Sequence, residues 1–143
     1  MEFVEKVAIE DLLKVDQASF SDHDAWSQST FERFLNNPDV QLLAAKIDSQ
    51  IIGYILVFKT IDVMEILSVA VLLDYRRQKI ASQLIKQMIA INPDFKQMFL
   101  EVRISNHAAI KTYQENNFKI IHERIDYYSQ PTENALIMER VLE

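Results

Sequence analysis

The first 35 residues carry apolar side chains at roughly helical spacing. Positions 9 to 20 contain one such stripe, which predicts a helix. Ser29-x-x-Glu32 has the form of a capping box and predicts that a second, short helix begins there and runs to Leu35. The following Asn36-Asn37-Pro38 ends this helix, because proline cannot continue the hydrogen-bonded ladder.

Apolar runs then replace the helical period. The runs at 40–47 and 51–58 flank the polar Asp48-Ser49-Gln50, a pattern that predicts a hairpin. Gly53 lies inside the second run, where a glycine usually marks a bulge or the close approach of another backbone. A third strand is predicted at 63–71.

Helices and strands alternate in the second half of the chain. One helix is predicted from Ile80 to near Asn92-Pro93 and another at 106–116, after which Asn117 is suited to a left-handed helix end. The remaining strands are predicted at 98–104, 118–127 and 135–142. The resulting order α-α-β-β-β-α-β-α-β-β predicts a mixed α/β fold in a single domain, residues 1–143.

The amino-acid composition mainly excludes several classes of function. The chain has one glycine, where average usage gives about 10, and it has no cysteine. It therefore lacks the residues for a P-loop, a Rossmann glycine fingerprint, a thiolate zinc site, a cysteine nucleophile or a disulfide scaffold. With 15 basic and 21 acidic residues the net charge is −6, so we expect no direct nucleic-acid partner.

The apolar runs are also too short for a membrane span, which needs about 18 residues. The acidic start Met1-Glu2-Phe3 does not resemble a signal peptide. We therefore expect a cytoplasmic protein without a membrane partner. His23, His107 and His122 lie in separate parts of the chain, so no metal site is expected either.

Three places carry candidate chemistry. The basic cluster at 76–79 precedes a predicted helix, whose N-terminal amides favour anionic phosphate oxygens, although a solvated turn explains the same pattern. Strand alternation places Phe99, Glu101 and Arg103 on one face. The Glu101 carboxylate is then either paired, with Arg103 or another neighbour, or poised for proton transfer. Tyr113 lies on an apolar helix stripe, which taken alone indicates core packing.

Several segments together resemble the GNAT N-acetyltransferases, and among them the ribosomal-protein-alanine N-acetyltransferases of the RimI type. The likeness covers nearly the whole chain and is carried by 67–71, 74–81, 100–106, 108–113 and 117–118, with further similarity at Trp26-Ser27, Thr30-Phe31, Tyr127-Tyr128 and 135–138. It implies the GNAT fold, in which a mostly antiparallel mixed sheet of about six to seven strands is flanked by about four helices.

The resemblance also implies a cofactor site and two catalytic residues. Acetyl-CoA, the acetyl donor, is expected along the backbone of Val69, Ala70 and Val71, with a further contact at Asn106. Its pyrophosphate is expected at the loop and helix start formed by Arg76, Arg77, Gln78, Lys79, Ile80, Ala81 and Ser82. Glu101 matches the general base and Tyr113 the acid that protonates the departing CoA thiolate.

One position departs from the family pattern [QR]-x-x-G-x-[GA]: Lys79 stands at its first glycine. A side chain there would either crowd the pyrophosphate and strain the loop, or attract the phosphates through its ammonium group. Asn117, where the family commonly has glycine, tolerates the left-handed region.

The expected activity is direct transfer of the acetyl group to an amine, most simply the N-terminal α-amine of a protein. Deprotonating lysine instead costs roughly 3 kcal/mol more at the same pH. The acidic balance suits a basic acceptor such as a ribosomal protein, with Tyr127 and Tyr128 at the peptide entrance. The alternatives are a GNAT enzyme for small amines or internal lysines and a noncatalytic CoA-binding module. We expect a monomer or weak dimer.

Overall fold

Seven strands form one sheet in the computed structural model, which describes residues 1–21 and 23–142. The strands are β1 Glu2–Val4, β2 Val40–Ile47, β3 Gln50–Lys59, β4 Val63–Val71, β5 Gln97–Arg103, β6 Lys119–Tyr128 and β7 Glu133–Val141. Their order in the sheet is β1-β2-β3-β4-β5-β7-β6, and every neighbouring pair is antiparallel except the parallel pair β4 and β5.

Four α-helices accompany the sheet: α1 Ile9–Ser19, α2 Gln28–Leu35, α3 Ile80–Ala90 and α4 His107–Glu115. A single 3₁₀ turn at Leu73–Tyr75 follows β4. The predicted fold class is confirmed, as are all predicted helices and strands, whose ends either match or shift by at most three residues. Strand β1 and the 3₁₀ turn were not predicted. Strand β1 has three residues, too few for an alternation to show, and it is held by pairing with β2.

The core has two parts because both faces of the central strands are covered. Leu12 and Val15 of α1 and Phe31 of α2 pack with Leu42 of β2 and Tyr54 of β3 on one face. On the other face, side chains of α3 and α4 pack against alternate residues of the same strands: Ile80, Leu84, Ile85, Met88 and Tyr113 against Leu43, Ile55, Met98 and Leu100. In the described part of the chain, no helix is both long and apolar enough to cross a membrane.

Gly53 marks both a bulge and a close backbone approach. The register between β2 and β3 shifts beside it, since Ala45 faces Gly53 while Lys46 faces Ile51. A Cβ on Gly53 would lie 3.0 Å from the carbonyl oxygen of Ala70, on the neighbouring strand β4. The expectation from the sequence is confirmed, and the side of β4 against β3 is therefore tightly packed at this position.

The predicted start of α2 was wrong. The helix begins at Gln28 with Ser27 as its N-cap, and the Ser27 hydroxyl accepts a hydrogen bond of 3.2 Å from the Thr30 amide. Ser29 is inside the helix, and Glu32 accepts a bond from the Gln28 side chain instead of closing a capping box. The backbone of Ser27 is extended, with φ of −79° and ψ of 165°, as an N-cap requires, whereas Ser29 is helical, and this decides between two serines that both fit the sequence pattern.

Candidate functional site

A cleft opens in the sheet where β4 and β5 separate. The two strands pair only from Val63 to Glu65 and from Gln97 to Phe99, although β4 continues to Val71 and β5 to Arg103. Strand β4 also carries a register shift against β3 here, because Leu56 faces Ser68 while Val57 faces Ile66. Such bulges redirect side chains and end strand pairing. Beyond Glu65, the edge of β4 toward β5 is thus free to bind an extended ligand.

The cleft forms a cavity of about 240 Å³ that contains both predicted catalytic residues. Its walls come from α4, the segment between α1 and α2, β6 and both separating strands. The lining includes Asp24, Trp26, Ser68, Val69, Glu101, Arg103, Asn106, Tyr113 and Tyr128. Three predicted cofactor or catalytic positions on different elements, Val69, Asn106 and Tyr113, therefore meet Glu101 in one place. Among the described residues, no group of three His, Cys, Asp or Glu is arranged to hold a metal ion.

Glu101 projects from β5 on the same face as Phe99 and Arg103, as predicted from the alternation. Its Oε2 atom is buried and has no hydrogen-bond partner among the described residues. Pairing with Arg103, one of the two predicted alternatives, does not occur, because Arg103 binds Asp24 and Glu133 instead. A buried oxygen without a donor is costly unless a ligand satisfies it, which makes Glu101 available to a substrate.

Tyr113 is 8% exposed, on α4, and its ring packs edge-on against Phe118 with centroids 5.8 Å apart. Burial raises the pKa of its hydroxyl, and the neighbouring Tyr128 raises it further. Tyr113 therefore combines the core packing indicated by its helix stripe with a position in the cavity wall. Its phenol keeps its proton at neutral pH and can donate it to a ligand.

A second carboxylate, Glu65, faces Glu101 from β4 on the same side of the sheet. A smaller pocket joins the two to Tyr127 and Tyr128. Burial raises the pKa of Glu65 and the charge of Glu101 raises it further, whereas Arg124 lowers it. Glu101 also raises the pKa of Tyr127, chiefly through hydrogen bonding to its hydroxyl. Burial, and after it the charge of Glu101, raises the pKa of Tyr128 to about 12. Glu65 was not among the predicted site residues, although a charged residue within an apolar strand run is a signal for such a role.

The basic cluster lies beside the start of α3. Gln83 donates the first hydrogen bond within the helix, to the Lys79 carbonyl, so the amides of Ile80, Ala81 and Ser82 belong to the unpaired first turn. Arg77 and Lys79 are exposed and both have a left-handed backbone, with φ of 67° and 59°. The helix start thus offers amides and positive charges together, as expected for a phosphate site.

Several predicted cofactor residues also have roles within the protein. The Arg76 Nε donates a bond of 3.0 Å to the Val71 carbonyl, which closes the end of β4. Ile80 is 3% exposed, so only its backbone is available to a ligand. The Ser82 hydroxyl accepts a bond from Asn116, and Asn106 caps α4 through its Oδ1, which leaves its Nδ2 for a ligand. Gln78 is exposed in the loop, and Ala70 and Val71 are buried in β4.

A buried polar network supports the cavity from behind. The Tyr54 hydroxyl lies 2.6 Å from Asp16 Oδ1 and 2.7 Å from the Ser68 hydroxyl, and Asp16 Oδ2 accepts a bond of 2.6 Å from the Trp26 amide. Ser68 and Trp26 both line the cavity. The network therefore fixes the position of one strand and one loop of the site. The apolar context of Tyr54 in the sequence gave no signal for it.

Comparison with known proteins agrees with this arrangement. The model of the Acetyltransferase (GNAT) family matches residues 7–118. A Bacillus subtilis (strain 168) protein proposed to be a ribosomal protein bS18-alanine N-acetyltransferase is 28% identical, over 91% of this chain and 87% of the relative. An N-alpha-acetyltransferase of Saccharolobus solfataricus is also 28% identical, over 94% of this chain and 87% of the relative.

A solved structure shows the same fold. The crystal structure of the ribosomal-protein-S18-alanine N-acetyltransferase from Escherichia coli superposes with a TM-score of 0.90 at 22% sequence identity. The superposition covers 99% of this chain and 94% of the other. At this identity the similarity establishes the arrangement of helices and strands.

Proposed function

Because this chain belongs to the GNAT acetyltransferase family and is an acetyl-CoA-dependent N-acetyltransferase, we propose that its acceptor is the α-amine of a protein N-terminus. Two relatives that match nearly the whole chain carry names that specify N-terminal α-amines or the alanine of ribosomal protein bS18. An α-amine also loses its proton more easily than lysine, by roughly 3 kcal/mol at the same pH.

The observation that carries the proposal is the unpartnered, buried Oε2 of Glu101 in the same cavity as Tyr113. In the proposed reaction, Glu101 accepts the ammonium proton of the acceptor, directly or through one water. The amine nitrogen then bonds to the thioester carbonyl carbon. As the carbon–sulfur bond breaks, Tyr113 donates its proton to the departing sulfur. The nitrogen gives up its second proton, which restores the Tyr113 phenol, and Glu101 releases the proton that it accepted to solvent. A direct transfer fits a chain without cysteine, since no thiol can hold the acetyl group.

The two halves of an acetyl-CoA site fit the residues present. The free edge of β4 at Val69 to Val71 offers backbone groups to an extended pantetheine arm, apart from the Val71 carbonyl, which accepts a bond from Arg76. The first turn of α3, with Arg77 and Lys79 beside it, offers amides and positive charge to the pyrophosphate. The bound donor supplies the thioester, and the protein's own contribution is to place that thioester between Glu101 and Tyr113.

The acceptor half of the cavity carries negative charge. Glu101 lines the main cavity and Glu65 lies in the adjoining pocket, whereas the charge of Asp24 is balanced by Arg103. Together with the net charge of −6, these carboxylates favour a cationic N-terminus followed by basic residues, as in ribosomal proteins. We place this activity in the cytoplasm, since a chain without cysteine needs no oxidising compartment.

The test compares three peptides of one basic sequence that begins with alanine. The first has a free N-terminus and its lysines replaced by arginine, the second has a blocked N-terminus and free lysines, and the third is blocked with arginines only. The proposal predicts acetylation of the first alone, located on the α-nitrogen by mass spectrometry. Faster acetylation of the second peptide would assign the enzyme to internal lysines, and no acetylation of any peptide would favour a small amine.

A further inference from the structure

Arg103 uses every N–H group of its guanidinium. Its Nε and Nη2 donate bonds of 2.7 and 3.0 Å to the two carboxylate oxygens of Asp24. Its Nη1 donates to the Pro131 carbonyl at 2.8 Å and to the Glu133 carboxylate at 3.1 Å, and Nη2 also donates to the Ser129 carbonyl at 2.8 Å. An arginine has five such donors, and all are satisfied.

These partners belong to two segments that are far apart in sequence. Asp24 lies between α1 and α2, whereas Ser129 and Pro131 form the turn between β6 and β7, and Glu133 begins β7. A bond of 3.1 Å between the Ser129 hydroxyl and His23 Nε2 joins the same two segments. Arg103 therefore holds them together from the end of β5.

The position of this contact relates it to the acceptor. Arg103 follows Glu101 by two residues on the same strand face, and Asp24, Arg103 and Tyr128 all line the cavity. The Arg103 guanidinium also lies over the Tyr128 ring, 4.5 Å from its centroid, at the edge of the pocket that holds Glu65 and Glu101. The expected acetyl-CoA contacts along β4 and at the start of α3 involve none of these groups. Asn106, the remaining expected contact, meets Arg103 only through the backbone, because its amide donates to the Arg103 carbonyl.

Charge explains why both segments depend on one side chain. The Arg103 side chain is 12% exposed, and the carboxylates that it separates, Asp24 and Glu133, are 27% and 16% exposed. Without a cation between them, two partly desolvated carboxylates repel each other, and two loop carbonyls lose their donor. The segments would then move apart, and Tyr128 would lose the group that fixes its ring.

We propose that Arg103 is a positioning residue for the acceptor: it holds the segment around Asp24 and the turn at 129–131 at the spacing that encloses the substrate amine beside Glu101. The inference rests on the proposed function only in placing the amine next to Glu101. Lysine cannot replace arginine at this position, because a single ammonium group cannot make the planar two-bond contact with Asp24 while it also reaches the turn.

The test measures steady-state kinetics and acetyl-CoA affinity for Arg103→Lys, Asp24→Asn and the control Arg33→Lys. Arg33 also lies over an aromatic ring, that of Phe34, but outside the cavity. Arg103→Lys and Asp24→Asn should each raise the KM for the acceptor about tenfold or more, the effect of one lost charge-assisted hydrogen bond. The Kd for acetyl-CoA should stay within about twofold, and Arg33→Lys should resemble the wild type.

The double variant separates positioning from general stability. If Arg103 and Asp24 act as one unit, combining their substitutions should raise the acceptor KM no more than either alone. An acceptor KM equal to that of the control would overturn the proposal. So would a parallel loss of acceptor and acetyl-CoA binding, which indicates a purely structural role. The assay uses whichever amine the wild-type enzyme acetylates best, so a failure of the α-amine assignment is seen separately in the wild type.

Discussion

The hydroxyl of Tyr54 lies 2.6 Å from a carboxylate oxygen of Asp16, within a core where the two residues are 0% and 1% exposed. The other oxygen of Asp16 accepts a bond from the Trp26 amide. Burial raises the pKa of Asp16, and the two hydrogen bonds that its carboxylate receives oppose this effect. Through these bonds the Asp16 side chain links α1, β3 and the loop that reaches the cavity.

Replacing Tyr54 by phenylalanine should therefore destabilise the protein. The change leaves Asp16 without one donor and removes a partner of Ser68, which should lower the free energy of unfolding by about 1–3 kcal/mol. Tyr75→Phe is the control, because its hydroxyl makes no hydrogen bond within the described residues, and it should change the value by less than about 0.5 kcal/mol. Urea denaturation measures both, and equal values would show that the network adds no stability.

The features of the fold that depend on neighbouring residues could be predicted from the sequence. The features that depend on contacts between distant segments could not. The helix and strand periods, the hairpin at Asp48-Ser49 and the left-handed Asn117, with φ of 68°, all follow from neighbouring residues and were found. The correct helix cap was missed, because the choice of Ser27 over Ser29 depends on how the preceding chain is held, through Trp26, by Asp16.

The candidate site was predicted unevenly for the same reason. Glu101 and Tyr113 lie within motifs that resemble a family, so they were recognised before their geometry was known. Glu65 and the partners of Arg103 are defined only when β4, β5 and two distant loops come together. No pattern within any one of those segments specifies the contact between them.

Lys79 should be strained by its backbone conformation. A side chain in the left-handed region costs about 1–2 kcal/mol, and glycine avoids this cost. Comparing Lys79→Gly with Lys79→Ala isolates the backbone effect, because both variants lose the same ammonium group. The free energy of unfolding of the glycine variant should be about 1 kcal/mol higher than that of the alanine variant. A less stable glycine variant would indicate that the loop is not left-handed at this position.

The same two variants test the charge of Lys79. Both should bind acetyl-CoA more weakly than the wild type at low salt, and the difference should shrink as salt screens the phosphate contact. Isothermal titration at two salt concentrations provides the measurement. Tighter binding by both variants would instead show that the lysine side chain crowds the pyrophosphate.

Gly53 should tolerate no side chain. A Cβ would meet the Ala70 carbonyl oxygen at 3.0 Å and Val71 Cγ2 at 3.2 Å, so Gly53→Ala must displace β4. Overpacking of this kind costs about 1–3 kcal/mol. Because Ala70 and Val71 belong to the free edge expected to bind acetyl-CoA, thermal stabilisation by the cofactor should fall as well. Gly53→Val should show both effects more strongly, and a full cofactor response in Gly53→Ala would contradict the link.

Glu65 should titrate at a higher pH than an ordinary glutamate. Burial and the charge of Glu101 both disfavour its ionised form, so its pKa is raised and it holds its proton to a higher pH. In Glu101→Gln the repulsion between the two carboxylates is gone, so the titration midpoint of Glu65 should move to lower pH. In Arg124→Gln a favourable cation is lost, so the Glu65 midpoint should move to higher pH. Carbon-13 NMR of the Glu65 carboxyl reads both shifts. Glu10→Gln, at an exposed position, is the control. A Glu65 midpoint that does not change in Glu101→Gln would refute the electrostatic interaction between the two carboxylates.

The most direct test of the account is the turnover of Glu101→Gln with the free α-amine peptide at saturating acetyl-CoA. Glu139→Gln is the matched control, because Glu139 lies on the same sheet but binds Gln97 outside the cavity. Loss of a general base should lower kcat by about 100-fold or more while the Kd for acetyl-CoA stays unchanged. The control should keep its activity. Turnover of Glu101→Gln at the wild-type rate and with the wild-type pH profile would contradict the assignment of this cleft as the site of acetyl transfer through Glu101.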